Sequence, residues 1–269
     1  MPSTAAEQPP AGPGTHPPLF LAGPGELAAD VIVLSGPEGR HAATVRRLSH
    51  GERVDVTDGA GGVAECVVTR AGPGSLELAV QARRQEPAPQ PEVVVAQAIP
   101  KGDRGPLAVE LLTEAGADGV VAWQAERCVT RWHGDRGQRG VDRWRATARE
   151  AAKQSRRARI PEVSGPEPTG GIARMAAGAS LAVLLDPEAP VPLAALPLPA
   201  AGQILLAVGP EGGVTPAEAR ALAAAGAVPA HLGPTVLRTS TAGVVAVSVL
   251  LSRCRWRERD SPPAGPGTA

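Results

Sequence analysis

A glycine-rich segment, Gly209–Gly213 (GPEGG), directly follows an unbroken apolar run that ends at Val208. Thr215, Pro216 and Glu218 come next, with the spacing of a helix capping box that has proline at the first helical position. We therefore predict a glycine loop between the carboxyl end of a strand and the start of a helix, where open α/β sheets bind ligands. Glycine lets a ligand approach the backbone closely, although a tight turn needed only for its geometry would leave the same pattern.

A second loop is predicted between a short strand, Pro229–Leu232, and a helix without charged residues, Ala242–Leu251. Gly233 and Pro234 turn the chain there, and the segment Leu237–Ala242 (LRTSTA) leads into the helix. A serine or threonine of this segment could cap the helix and leave backbone N–H groups for a ligand. A core helix with an ordinary cap is the alternative. Two glycine loops at consecutive strand ends favour a ligand pocket lined by backbone.

Basic side chains at turns and helix ends are candidate contacts for the phosphates of a nucleic acid. Arg46 and Arg47 end a predicted helix, where they could equally stabilise its C-terminus. Lys101 and Arg104 lie between a predicted strand and helix, where a solvated turn explains them as well. The other candidates, for which a solvated segment or helix face is the alternative, are Arg127, Arg131, Gln154 and Arg156.

The elements that position these residues fall into two groups. Short apolar alternations between glycine turns predict a small β-barrel with one helix, Glu38–Leu48, over residues 19–86. EPAPQP (86–91) has the composition of a linker, and the strand–helix alternation after it predicts an α/β domain with a mainly parallel sheet. The predicted strands are Val31–Leu34, Arg53–Asp58, Ala64–Thr69, Leu76–Ala82, Val93–Ile99, Gly119–Ala122, Leu181–Leu185 and Ile204–Val208, and the further helices are Gly105–Ala115 and Val141–Ser155.

Composition excludes several classes of protein. The 27 basic and 27 acidic residues balance, which argues against a wholly basic surface. Cys66, Cys128 and Cys254 stand far apart, so a disulfide framework or a zinc site is not expected. The longest apolar run is about half of the roughly 20 residues that a membrane span needs, and the N-terminus lacks the pattern of a secretory signal. We therefore expect a cytoplasmic protein, with disordered proline- and glycine-rich tails at residues 1–18 and 259–269.

The strand-GPEGG-helix pattern followed by LGPTVLRTSTA resembles the SPOUT superfamily of methyltransferases. The chain is more closely similar to the RsmE family, which methylates N3 of a uridine in 16S ribosomal RNA. The resemblance spans roughly residues 19–257. The upstream segments that are similar to the family are HAATVRRLSHGERVDVTDG (41–59), KGDR (101–104), ELLTEAGADGVV (110–121), ERCVTRW (126–132) and RWRATAREAAKQSRRARIPEV (143–163).

This resemblance implies a PUA-like β-barrel for RNA binding at residues 19–86 and an α/β domain with a trefoil knot at residues 92–258. It also implies a homodimer with the active site near the subunit interface, S-adenosyl-L-methionine as cofactor, no metal, and 16S rRNA or the small ribosomal subunit as partner. The basic residues named above, together with Gln154, become its RNA contacts. The implied cofactor contacts are Leu184, Leu185, Gly209, Glu211, Gly212, Gly213, Leu232, Gly233, Leu237, Thr239, Ser240, Thr241 and Ala242.

The chain departs from the family at Ser240, because members often have a glutamate within this segment. The role of that carboxylate in orienting or deprotonating uracil therefore cannot be transferred. Glu211 and Glu126 are other carboxylate candidates, and Arg238 is our candidate catalytic residue because its charge would favour a uracil anion. Two other functions compete: an RNA-binding assembly factor with a degenerate site, and a nucleotide-phosphate enzyme, which would lack the usual GK[ST] and GxGxxG motifs.

Overall fold

The structure is a computed structural model that describes residues 17–23 and 25–256. The chain divides into two compact units, Met1–Glu86 and Pro87–Ala269. The predicted tails lie outside the described residues, apart from positions 17 and 18.

The first unit is built on a five-stranded sheet with the order β1-β3-β4-β5-β2. Strands β3, β4, β5 and β2 pair antiparallel, whereas β1 pairs parallel with β3. Phe20, Ile32, Val54 and Leu78 lie in its apolar core. The strands are β1 Leu19–Leu21, β2 Val31–Leu34, β3 Arg53–Thr57, β4 Gly62–Gly72 and β5 Ser75–Gln85.

The helical segment predicted at Glu38–Leu48 is present, but its bounds differ and it is not one uniform helix. A short helix, α1, covers Gly36–Arg40, and a π-helical turn covers His41–Val45. The amide of Arg46 donates to the carbonyl of His41 at 3.0 Å, one residue further back than in an α-helix. Apolar periodicity over ten residues does not reveal such a change of pitch, so the sequence predicted one continuous helix.

The second unit contains a six-stranded sheet with the order β11-β9-β10-β6-β7-β8. Every pairing in it is parallel, which confirms the predicted α/β domain. Its central strands are mostly apolar and buried, as expected where helices cover both faces. The strands are β6 Glu92–Ala98, β7 Gly119–Gln124, β8 Glu162–Pro168, β9 Leu181–Leu185, β10 Gln203–Val208 and β11 Ala227–Ala230, and the helices are α2 Arg104–Ala115, α3 Gly134–Gln154, α4 Thr169–Gly178, α5 Pro216–Ala224 and α6 Thr239–Cys254.

Sequence patterns missed some boundaries for identifiable reasons. Helix α3 begins at Gly134, whereas the sequence predicted a start at Val141. The prediction missed the first two turns because they are polar and glycine-rich. A Cβ atom at Gly140 would lie 2.5 Å from the Trp132 ring, so this helix packs closely on that indole. Strand β8 and helix α4 were not predicted. Strand β8 contains two prolines, which argue against a strand in the sequence. They are tolerated in the structure because β8 is an edge strand.

Asp118, between α2 and β7, joins the end of α6 to the sheet. Its carboxylate accepts a hydrogen bond from the Val93 amide (2.8 Å) and bonds from the guanidinium of Arg255. Arg157 lies 3.7 Å away, and all three charged side chains are largely buried. Among residues 17–23 and 25–256, no helix has the length and apolarity required to span a membrane.

Candidate functional site

A cleft of about 530 Å³ opens in the second unit, where β9, β10 and β11 end. This size is typical of a site for a small organic ligand. Three loops line it, one after each of these strands, and the last continues into the first turn of α6. The lining residues are Arg104, Leu184, Leu185, Asp186, Pro187, Val208, Gly209, Pro210, Glu211, Gly213, Val214, Ala219, Ala230, His231, Leu232, Gly233, Thr235, Val236, Leu237, Arg238, Thr239 and Ala242.

The first glycine loop has the predicted geometry. Strand β10 ends at Val208, and Gly213 has a φ of +73°, a conformation that favours glycine. The capping box is complete, because the Glu218 amide donates to Thr215 Oγ1 (3.3 Å) and the Thr215 amide donates to Glu218 Oε2 (3.0 Å). The predicted strand, loop and helix start are therefore confirmed.

The second loop differs from the prediction at the start of its helix. Helix α6 begins at Thr239 with Arg238 at the N-cap position and no side-chain cap, so the expected serine or threonine cap is wrong. Thr239 instead donates its hydroxyl proton to the carbonyl of Gly209 at 3.1 Å. Since Thr239 is 6% exposed, this bond between the two loops is largely shielded from solvent.

The structure brings most of the predicted cofactor contacts into one cleft wall, together with the candidate catalytic residue Arg238. Three predicted residues are not part of the wall. Gly212 faces the side chain of Arg127, Ser240 is buried at 5% exposure, and Thr241 follows it in the first turn of α6. Whether the wall residues hold a ligand stays a prediction.

Several wall residues were missed by the sequence patterns. Asp186 directly follows the predicted strand β9, and that position could have identified it. His231 is another missed polar residue: its Nδ1 accepts a hydrogen bond from the Gly233 amide at 3.1 Å. A histidine two residues before a loop glycine has no distinctive sequence pattern, so only the fold reveals it.

Charged side chains of both signs lie in the cleft wall. Arg104, predicted as an RNA contact, lines it, and so do Arg238 and the carboxylate Glu211. Glu211 Oε1 also accepts a 3.3 Å hydrogen bond from the backbone amide of Lys101, whose side chain is exposed. The KGDR segment and the glycine loop therefore meet at the cleft.

The segment Ala125–Arg131, between β7 and α3, lies against the outer side of the glycine loop. Arg127 donates to the carbonyl of Gly212 at 3.0 Å. The Glu126 carboxylate, a candidate base, accepts from Thr215 Oγ1 at 3.0 Å and is not part of the cleft wall. Glu211 is therefore the better placed of the two carboxylates proposed from the sequence.

The remaining predicted RNA contacts are exposed on their own elements. Gln154 ends α3, and Arg156 follows it with a φ of 55°. In the first unit, Arg46 and Arg47 directly follow the π-helical turn, and Arg47 has a φ of 52°. Their contact with RNA stays a prediction.

Glu218 has a shifted acidity. Burial raises its pKa, but hydrogen bonds from Thr169, Thr215 and the Glu126 amide lower it, and the result is a pKa below the ordinary glutamate value. This carboxylate is therefore ionised at neutral pH.

Within the described part of the chain, no group of three or more His, Cys, Asp or Glu side chains is arranged to hold a metal ion.

Comparison with known proteins matches both units. Residues 86–251 match the RNA methyltransferase domain family, and residues 34–81 match the RNA methyltransferase PUA domain. Ribosomal RNA small subunit methyltransferase E of Mycobacterium tuberculosis is 51% identical over 83% of this chain and 88% of its own length. Its Bacillus subtilis counterpart is 27% identical over 82% of this chain and 90% of its own length. A methyltransferase structure from Legionella pneumophila with bound SAM has a TM-score of 0.79 and 25% identity, and covers 89% of this chain and 99% of that one.

Proposed function

The chain belongs to the RNA methyltransferase domain family, and from this premise we infer that it transfers a methyl group from S-adenosyl-L-methionine to N3 of a uridine in 16S ribosomal RNA. The observation that supports this most is the cleft between the two glycine loops, at the strand ends where the family's methyltransferases are expected to bind their cofactor. The SAM-bound Legionella structure has the same fold.

The cleft fits this cofactor in size and chemistry. The adenosyl group is flat and largely apolar, and Leu184, Leu232 and Leu237 supply apolar wall beside the backbone of the glycine loop. The amino-acid end of the cofactor has both charges, and the wall offers carboxylates and guanidinium groups for them. When bound, S-adenosylmethionine supplies an electrophilic methyl group on its sulfonium.

The protein's own task is to hold the base unpaired, favour loss of the N3 proton, and align the nitrogen. Arg238 and Arg104 lie in the same wall, where two positive charges favour a uracil anion. Ser240 is buried and cannot supply a carboxylate. Glu211 is the proton acceptor that we propose, since it is in the wall.

The partners follow from the same assignment. We propose that the first unit, which matches a PUA domain, binds RNA together with Gln154 and the exposed basic residues Arg46, Arg47, Lys101, Arg127, Arg131 and Arg156. We also propose a cytoplasmic homodimer that needs no metal. The trefoil knot that the resemblance implies stays a prediction.

Blocking the cleft tests the proposed function. Ala242 lines it from the first turn of α6, and Ala242→Phe would fill part of the space. Ala224→Phe, on the exposed end of α5, is the matched control. Isothermal titration should show S-adenosylmethionine binding to the wild type and the control, and binding at least about tenfold weaker in Ala242→Phe.

The reaction itself is tested with small subunits purified from a strain that lacks this gene. The wild-type enzyme with labelled cofactor should add one methyl group, which mass mapping of the rRNA would assign to a single uridine at N3. Tight RNA binding without incorporation would favour the assembly factor. Absence of cofactor binding by the wild type would refute the proposal.

A further inference from the structure

Glu218 lies behind the cleft, in the first turn of α5, and is 6% exposed. Its Oε1 atom accepts hydrogen bonds from Thr169 Oγ1 (2.7 Å) and from the Glu126 amide (2.8 Å). Its Oε2 atom accepts from the Thr215 amide at 3.0 Å. One buried carboxylate thus joins the start of α4, the start of α5 and the segment Ala125–Arg131. Donors bound to a buried charge are held firmly, because each would lose a strong bond by moving.

The segment Ala125–Arg131 is compact in itself. The Arg131 guanidinium donates to the carbonyls of Ala125 (3.3 Å) and Glu126 (2.5 Å). The segment is attached to α5 at Glu126 by two hydrogen bonds: the Glu126 backbone amide donates to the Glu218 carboxylate, and Thr215 Oγ1 donates to the Glu126 carboxylate at 3.0 Å. Its placement therefore depends on Glu218 as well as on Ala125 and Cys128, which are buried in the core.

Arg127 transmits that placement to the glycine loop. Its Nη1 donates to the Gly212 carbonyl at 3.0 Å, and a Cβ atom at Gly212 would lie only 3.2 Å from the Arg127 Cβ. The outer side of the segment is exposed and contains two arginines and Val129, which is 71% exposed. An exposed, positively charged segment in contact with a cofactor loop is a suitable surface for the phosphates and bases of an RNA substrate.

We propose that Glu218 is a positioning residue which, through Glu126 and Arg127, fixes the segment Ala125–Arg131 for RNA binding and makes RNA and cofactor binding favour each other. The proposal rests on the proposed function, which supplies both ligands. Because energetic coupling between two sites is reciprocal, RNA should increase the affinity for the cofactor by the same factor as the cofactor increases the affinity for RNA.

Glu218→Gln and Thr169→Val test the proposal. An amide at position 218 places an N–H group against one of the backbone donors. Valine at 169 keeps the shape of the side chain, but it removes the hydroxyl donor to Glu218 and also the acceptor of a 3.0 Å hydrogen bond from Trp123 Nε1. Thr169→Ser keeps the hydroxyl group and should restore wild-type behaviour. Glu114→Gln, at an exposed position of α2, is the charge-matched control.

Hydrogen exchange is the first measurement, because it needs neither ligand. Amides of residues 125–131 should exchange about tenfold faster in Glu218→Gln, whereas strand β10 stays as protected as in the wild type. In methylation assays the KM for small subunits should rise about tenfold. In this variant the dissociation constant for S-adenosylmethionine without RNA should change less than twofold. The gain in cofactor affinity that RNA produces in the wild type should be absent.

Unchanged exchange at residues 125–131 in both variants would overturn the positioning role. Equal weakening of cofactor and RNA binding, together with faster exchange throughout the second unit, would show only general destabilisation and would also overturn it. If the wild type neither binds the cofactor nor methylates RNA, the proposed function fails, while the exchange result still tests the link between Glu218 and the segment.

Discussion

The hydrogen bond between Thr239 and Gly209 is the contact through which the two glycine loops depend on each other. Thr239→Val removes the hydroxyl donor and keeps the shape of the side chain. The lost bond is 3.1 Å long and its donor is 6% exposed, so the Gly209 carbonyl loses a partner that water cannot easily replace. A net cost of about 1.5 kcal/mol is expected for such a neutral bond.

Two measurements follow from that value. If the bond holds the loops in the binding conformation, the dissociation constant for S-adenosylmethionine should rise about tenfold, since 1.4 kcal/mol corresponds to a factor of ten. The melting temperature should fall by about 3–6 °C, as expected for a unit of this size. Isothermal titration and thermal unfolding monitored by circular dichroism are the assays.

The controls separate the hydroxyl group from its surroundings. Thr239→Ser keeps the donor and should bind the cofactor within about threefold of the wild type. Thr147→Val removes a 3.0 Å bond to the Arg143 carbonyl on α3, away from the cleft, and should leave cofactor affinity unchanged. A Thr239→Val protein that binds the cofactor as tightly as the wild type would refute the reasoning that this bond organises the site.

Three further predictions concern stability and reactivity. Asp118→Asn removes the charge that two buried guanidinium groups share and should lower the free energy of unfolding in urea by about 3–5 kcal/mol. Asp142→Asn, in an exposed ion pair, should lower it by less than about 1 kcal/mol. Equal losses in the two variants would contradict the role of burial. Gly213→Ala introduces a Cβ atom at a φ of +73° and should destabilise the protein by about 1–2 kcal/mol, whereas Gly170→Ala, with open space around it, should not; calorimetry compares them. Burial raises the pKa of the Cys66 thiol to about 11. Cys66 should therefore resist iodoacetamide in the folded protein at pH 8 and react once urea unfolds the chain. Rapid labelling of Cys66 in the folded protein, detected by mass spectrometry, would contradict this prediction.

The acidity of Glu218 predicts a pH dependence with a definite sign. Because its folded pKa is below the ordinary value of 4.5, the stability it contributes is present above about pH 4.5 and is lost as the pH falls through the folded pKa. The stability difference between wild type and Glu218→Gln should therefore shrink in acid. A difference that grows below pH 4.5 would show that the carboxylate is not stabilised by its hydrogen bonds.

Local residue patterns determined much of the fold and the centre of the site. The apolar run before GPEGG and the spacing of Thr215 and Glu218 predicted a strand, a loop and a capped helix, and all three are present. These features depend on interactions over a few residues, so the sequence is sufficient to predict them. The resemblance in GPEGG and LRTSTA then supplied the family, which the comparisons confirm.

Only the tertiary structure decided which side chains meet. His231 and Asp186 enter the cleft wall because β11 and β9 pair in a particular register, and Ser240 is excluded from it because the first turn of α6 buries that side chain. The bond of Glu218 to the Glu126 amide joins residues 92 positions apart. Contacts of this kind depend on how strands and helices pack, and no local pattern in the sequence determines them.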